Sequence, residues 1–177
     1  MKNFKKLAAA ALTGVALLIG SNVNAQTTPS NAFRFGIGLE AGVPTGNASN
    51  FSKFELGGTA RLQYGITNDL ALTLTSGYYN MFGKDYTVGA TTFKAKDNGI
   101  VPLKACVKAF FASNLYFGAE LGAGFETASG GNTKFIVAPG LGFANKTWDV
   151  SARYENFAGQ SNNYGLVGLR IAYGFAL

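Results

Sequence analysis

The sequence predicts an all-β fold, an eight-stranded antiparallel up-and-down transmembrane β-barrel, and three observations carry that prediction. Between Phe33 and Leu177, apolar residues recur at every second position in eight separate stretches, the period of a pleated strand. The connections between these stretches alternate between short and long. The positions between the apolar residues hold mostly glycine and charge, where a water-washed face would carry Lys, Thr and Ser.

The first 25 residues are set apart from that pattern. Lys2, Lys5 and Lys6 precede the apolar run LAAAALTGVALLI, and Val23 and Ala25 take the small-residue positions ahead of a signal-peptidase cut. The run is too short for the roughly 20 residues that a spanning helix needs. It reads as a secretory signal cleaved after Ala25, leaving residues 26–177 as one domain. Without the three signal lysines the chain carries 12 basic and 9 acidic side chains, which gives no argument for nucleic acid. Cys106 is the single cysteine, so an internal disulfide is excluded and stability must come from elsewhere. Its inward parity makes it a buried, inert thiol.

The elements follow in order. Phe33–Val43 reads FRFGIGLEAGV, with Arg34 and Glu40 among the glycines. Phe54–Ile66 puts Phe54, Leu56, Ala60, Leu62, Tyr64 and Ile66 on one face and Glu55, Thr59, Arg61 and Gln63 on the other. Leu70–Asn80 sets Leu70, Leu72, Leu74 and Tyr78 against Thr73, Thr75 and Tyr79. Val101–Phe111 sets Val101, Leu103, Ala105, Val107, Ala109 and Phe111 against Lys104, Cys106, Lys108 and Phe110. The fifth stretch, LYFGAELGAGFET from Leu115 to Thr127, interleaves its apolar residues with Glu120, Glu126 and glycines. Phe135–Phe143 is the sixth, with an irregularity expected at Pro139-Gly140 because proline lacks the amide proton of a ladder. Trp148–Tyr154 is the seventh, with Asp149, Ser151 and Arg153 in its gaps, and Val167–Leu177 is the eighth, with Arg170 among small residues.

Most of these stretches match the roughly 9–11 residues with which a tilted strand crosses a bilayer. TND at Thr67–Asp69, ASN at Ala112–Asn114 and NKT at Asn145–Thr147 are tight turns. Pro44–Lys53, Met81–Gly99, Thr127–Lys134 and Ala158–Asn163 are longer and polar. Short periplasmic turns opposite longer extracellular loops are the habit of outer-membrane barrels.

Polarity decides which face is inside. No apolar-parity position carries a charge, whereas the other parity holds six basic and six acidic residues. A soluble barrel would turn the apolar face inward and expose those charges among an unexplained excess of glycine. In a membrane barrel the apolar face meets lipid, and a narrow lumen needs glycine to make room for long charged side chains. The outward aromatics agree. Phe33, Tyr64, Phe111, Phe117, Phe143, Trp148, Tyr173 and Phe175 fall near the short-turn ends, and Phe54, Tyr78, Phe125, Phe135 and Tyr154 near the others, as two headgroup belts would.

Glu40, Arg61, Lys104, Glu120, Arg153, Glu155 and Arg170 fall at similar heights, with Arg34 nearer one end. This lumen set reads as a charged plug, with an ion path as the competing reading. The chain has no histidine, which excludes Ser-His and Cys-His catalysis and histidine-ligated metal; a carboxylate acid/base pair such as Glu120 with Glu126 stays open but reads as part of the ion-pair network, so neither enzyme activity nor a cofactor is expected. The glycine-rich GIGLEAG and GAELGAG lack the spacing and following helix of a nucleotide loop. The candidate working surface is the loop Met81–Gly99, where Phe82, Tyr86 and Phe93 accompany Lys84, Lys94 and Lys96. Its alternating YTVGATTF is expected to extend a hairpin above the membrane. There its lysines could meet lipopolysaccharide headgroups, or its strand edge a foreign protein.

The eight alternating segments, the signal, APGLGF at Ala138–Phe143 and the closing GLRIAYGFAL resemble the OmpX/OmpA-type family of small outer-membrane barrels, over Phe33–Leu177. The resemblance implies a monomeric barrel without a periplasmic domain in the outer membrane of a Gram-negative bacterium. It also implies a terminal aromatic read by the barrel assembly machinery. Here Tyr173 and Phe175 keep the parity and Leu177 ends the chain. The expected function is non-enzymatic: a barrel anchoring loops for adhesion, surface protection or envelope integrity. The alternative is a narrow pore or small-solute path.

Overall fold

The computed structural model describes residues 29–88, 91–159 and 163–176. The expected signal segment, its cleavage point and the terminal Leu177 lie outside them. Eight long strands close on themselves: β1 (Phe33–Gly46), β2 (Ser52–Gly65), β3 (Leu70–Gly83), β6 (Asn98–Phe110), β7 (Leu115–Glu126), β8 (Thr133–Ala144), β9 (Trp148–Ala158) and β10 (Tyr164–Ala176). A one-turn helix, α1 (Ala48–Phe51), joins β1 to β2. A separate two-stranded hairpin, β4 (Asp85–Val88) and β5 (Thr91–Lys94), stands between β3 and β6.

Every neighbouring pair in the barrel is antiparallel, and β1 pairs with β10 from Arg34↔Ala176 to Gly46↔Tyr164. That seam leaves no strand edge open, which is the requirement for backbone immersed in hydrocarbon. The strands run past the alternating stretches at the long-loop end. Pairing continues there after the polarity signal fades, so Pro44–Gly46 and Ser52–Lys53, expected in a loop, are strand.

The irregularity expected at Pro139-Gly140 takes a milder form than a bulge. Pairing of β8 with β9 lapses over Ala138 and Pro139 and resumes at Gly140↔Arg153 in the same register, while Pro139 still faces Ala119 of β7. Pro102 behaves alike, with a lapse toward β3 between Ser76↔Leu103 and Tyr79↔Ile100. In each case the side of the ladder lacking a proton goes unpaired and the neighbouring rungs hold the register. The register shift in the β2–β3 pair lies elsewhere, between Ser52 and Phe54.

The outside is apolar. Leu39 is 75% exposed and Leu141 58%, and ring pairs such as Phe33–Tyr64 at 4.8 Å and Trp148–Tyr173 at 5.3 Å lie at the short-turn rim. The inside has three storeys. At the long-loop end Tyr79, Met81, Ile100, Ile136, Phe157, Tyr164 and Leu166 form an apolar cap. Charges fill the middle, and Phe110, Tyr116 and Ala144 close the short-turn end. Phe110 has the inward parity read from the sequence, whereas inward Ile136, Phe157 and Leu166 were no part of the glycine-and-charge lumen expected there. They cover the charged layer at its two ends.

Glycine makes room for charge at some positions and for backbone at others. A Cβ on Gly174 would fall 2.1 Å from Arg34 Nε, whereas one on Gly77 would fall 2.1 Å from the carbonyl oxygen of Gly58. A backbone atom cannot step aside as a side chain does. Gly77→Ala is therefore expected to destabilise the barrel by about 1–3 kcal/mol, the range for overpacking. Gly58→Ala, with nothing within 4 Å of its Cβ, should change stability by less than about 0.5 kcal/mol. Urea unfolding of the two variants in lipid vesicles compares them directly.

Candidate functional site: a charged lumen and the hairpin above it

The closed sheet turns charged side chains from six strands into one layer of the lumen. Lys104 of β6 is fully buried, with its Nζ 2.8 Å from both Glu120 Oε2 and Glu155 Oε1. Arg61 reaches across from β2 to Glu120 Oε1 at 2.8 Å, and its Nε donates to Thr75 Oγ1 at 2.7 Å. Arg153 binds both Glu40 and Glu155. Arg170 Nε stands 3.4 Å from Glu40 Oε1 and donates to Thr59 Oγ1 at 3.1 Å. Seven of the eight sequence-predicted lumen residues thus make one connected network. Arg34 lies nearer the short-turn end, its Nη1 donating to the carbonyl of Asn145 at 2.8 Å in the last short turn.

Several members lay outside the predicted set. Tyr79 takes a hydrogen bond from Lys104 at 2.8 Å and donates one to Glu40 Oε2 at 3.0 Å, so its hydroxyl relays between two charges. Asp149 receives Lys108, the Tyr116 hydroxyl at 2.7 Å and Arg61 Nη1 at 3.7 Å. The inward parity of Tyr79 was legible in the sequence, but its reach across the lumen was not. Lys134, read as loop, is the second residue of β8 and is buried, with its Nζ 5.9 Å from the Tyr164 ring centre.

Charges held this closely resist separation, because each loses its hydration on burial and depends on its partner to offset the loss. The space left between them is small: two interior cavities measure about 20 Å³ and about 10 Å³. Of the four glycines at which an open passage would show, Gly122 and Gly124 have backbone or side-chain atoms within 3.2 Å of their missing Cβ and Gly174 is filled by Arg34, whereas Gly168 has only the Ala41 carbonyl oxygen near it, at 3.9 Å.

Above the barrel, the expected hairpin is present as β4–β5, with Tyr86 opposite Phe93. It leans on α1 and the start of β2. Lys53 Nζ bonds Asp85 at 2.6 Å, Lys84 Nζ donates to the carbonyl of Ser49 at 2.5 Å, and the Tyr86 hydroxyl donates to that of Asn50. Of the six predicted loop-surface residues, Phe93, Lys94 and Lys96 are well exposed and Tyr86 partly so. Phe82 instead ends β3 and stacks on Phe54 at 4.6 Å, and Lys84 is half-buried as a brace. Asp97 closes the hairpin's base. Its Oδ1 accepts the Gly83 amide at 2.9 Å, and this bond, with Lys94 at 3.6 Å, holds the carboxyl below the usual carboxylate range. A depressed carboxyl lends its stability above its ordinary pKa of about 4 and loses it as pH falls through the folded value. Protection of the Gly83 amide from hydrogen exchange is accordingly expected at neutral pH and should weaken in acid.

The architecture is shared with solved barrels. Ail, the attachment invasion locus protein of Yersinia pestis, matches with a TM-score of 0.58 at 14% identity, over 82% of this chain and 99% of that one. The N-terminal β-barrel domain of Pseudomonas aeruginosa OprF gives 0.52 at 15%, over 84% and 100%. A de novo designed transmembrane β-barrel gives 0.51 at 14%, over 84% and 98%. No protein-family model and no curated protein matches the sequence. That a designed barrel fits nearly as well as OprF shows that the likeness concerns backbone and not activity. By its closed antiparallel ladder, its apolar exterior and these counterparts, the chain has the fold of the small eight-stranded outer-membrane barrels, the OmpX/OmpA type.

Proposed function

We propose that the chain is a non-enzymatic integral protein of a Gram-negative outer membrane, with the barrel as anchor and the long-loop end as an adhesive surface. The observation that carries this reading is the braced hairpin. A loop serving only to join β3 to β6 has no use for three contacts to α1 and the start of β2, beside which Phe51 is 59% exposed and Phe93 57% exposed, with Lys94 and Lys96 adjacent. Rigid aromatics flanked by lysines suit an anionic, partly apolar partner. Ail, of the same fold, has been solved with the heparin analogue sucrose octasulfate. Lipopolysaccharide headgroups are the partner on the cell's own surface, and the unpaired outer edges of β4 and β5 offer a foreign protein a strand to extend. The packed lumen favours a closed anchor over a pore, and the protein works as a monomer inserted by the barrel assembly machinery.

The test displays the full chain on cells lacking other small barrels and measures adherence to sulfated glycan and to extracellular-matrix protein. Replacing residues 85–94 by a short Gly-Asn turn should abolish adherence while the barrel keeps its heat-dependent gel shift. Equal adherence with and without the hairpin would refute the proposal. In planar bilayers the refolded chain should be silent; conductance steps altered by neutralising Arg61 or Glu120 would establish the pore instead.

A further inference from the structure

We infer that the short-turn half of the lumen is a binding site for a small monovalent anion, chloride or one of similar size, seated on the terminal nitrogens of Arg170 between Arg34 and Arg61. Arg170 is 1% exposed. Its Nε is engaged by Thr59 and Glu40, but neither Nη1 nor Nη2 has a hydrogen-bond partner among the described residues. Among the described residues no carboxylate bonds them. Glu40 is already held by Arg153, Thr59 and Tyr79. Glu55, the buried carboxylate outside the central network, lies by Gly42 and Gly57 toward the long-loop end.

The residues lining the cavity of about 20 Å³ here include Arg34, Arg61, Arg170 and Gln63, with Asp149 as the single acid. Asp149 already receives Lys108, Tyr116 and Arg61. Among the described residues buried in the lumen, seven are basic and five acidic, so the interior carries two positive charges in excess. Three guanidiniums around one engaged carboxylate repel any cation. A water would accept from Arg170 without offsetting its charge, whereas a halide does both, and its attraction is strengthened where solvent is excluded. Size narrows the choice further. One water needs about 10–15 Å³ of such space, so a cavity of this volume suits a single particle of water or halide size better than sulfate or phosphate.

The test crystallises the refolded chain with bromide and measures anomalous scattering. A bromide peak within hydrogen-bond distance of Arg170 Nη1 or Nη2 is expected. A water in that place, or bromide at the loop lysines only, would overturn the site. In solution, replacing gluconate by chloride at constant ionic strength should slow or suppress unfolding. Above the dissociation constant, each tenfold rise in chloride lowers the unfolding equilibrium constant about tenfold. Arg170→Gln should lose this dependence and Lys94→Gln keep it; equal response of the intact chain to both salts would also overturn the inference. Should Arg170→Gln fail to fold, Arg170→Lys and the anomalous map of the intact chain still decide.

Discussion

Replacing Lys104 by Met lowers the stability of the barrel by about 3–5 kcal/mol, the loss expected when one partner is removed from a buried ion pair. The side chain is fully buried, and its Nζ lies 2.8 Å from Glu120, from Glu155 and from the Tyr79 hydroxyl. Methionine fills nearly the same volume, so little of the loss comes from a cavity. What remains is two carboxylates facing one another with one less cation between them. Urea unfolding in lipid vesicles, followed by the single Trp148, measures the change. Adding Glu155→Gln to the same chain should restore much of the loss, because a buried pair replaced as a unit is close to neutral. A Lys104→Met barrel as stable as its parent would show that the charges contribute nothing to holding the lumen shut.

Leu39→Arg is expected to destabilise by about 2–4 kcal/mol, the penalty for a cation on the lipid face near the bilayer midplane. In water the expectation is the opposite. Leu39 is 75% exposed, and a charge at so open a position on a soluble protein changes stability by less than about 0.5 kcal/mol. The size of the effect therefore reports what surrounds the barrel. Thr133→Arg, at the long-loop rim, should cost only about 0–1 kcal/mol. Equal small effects at both positions would put the exterior in water and remove the basis for a membrane location.

The barrel was legible in the sequence because parity is a local property. From Phe33 to Phe175 each outward residue could be assigned by counting in twos, and the heights of Glu40, Arg61, Lys104 and Glu120 followed from strand direction. The strand ends were not legible. Ile136 and Phe157 face the lumen but look like any apolar residue beside a loop, and Lys134 fell outside a segment that had been started at Phe135. Pairing across the lumen was hidden for another reason: that Tyr79 joins Lys104 to Glu40 depends on closure, which no window of sequence contains. The hairpin showed in its alternation, whereas its brace to Ser49 and Asn50 depends on the spacing of two loops far apart along the chain.

The central ion pairs join strands remote in sequence: Arg61 of β2 with Glu120 of β7, Lys108 of β6 with Asp149 of β9, and Arg153 of β9 with Glu40 of β1. While the sheet is open and flat, none of these partners can meet. The network therefore forms last during insertion and, sealed between two apolar caps, must break together before any strand can leave. Interactions absent until the final step slow the escape from the folded state more than they speed arrival. The barrel's persistence is then a matter of lifetime, and titrations into and out of urea should trace separate curves, with a hysteresis that narrows as the central pairs are removed.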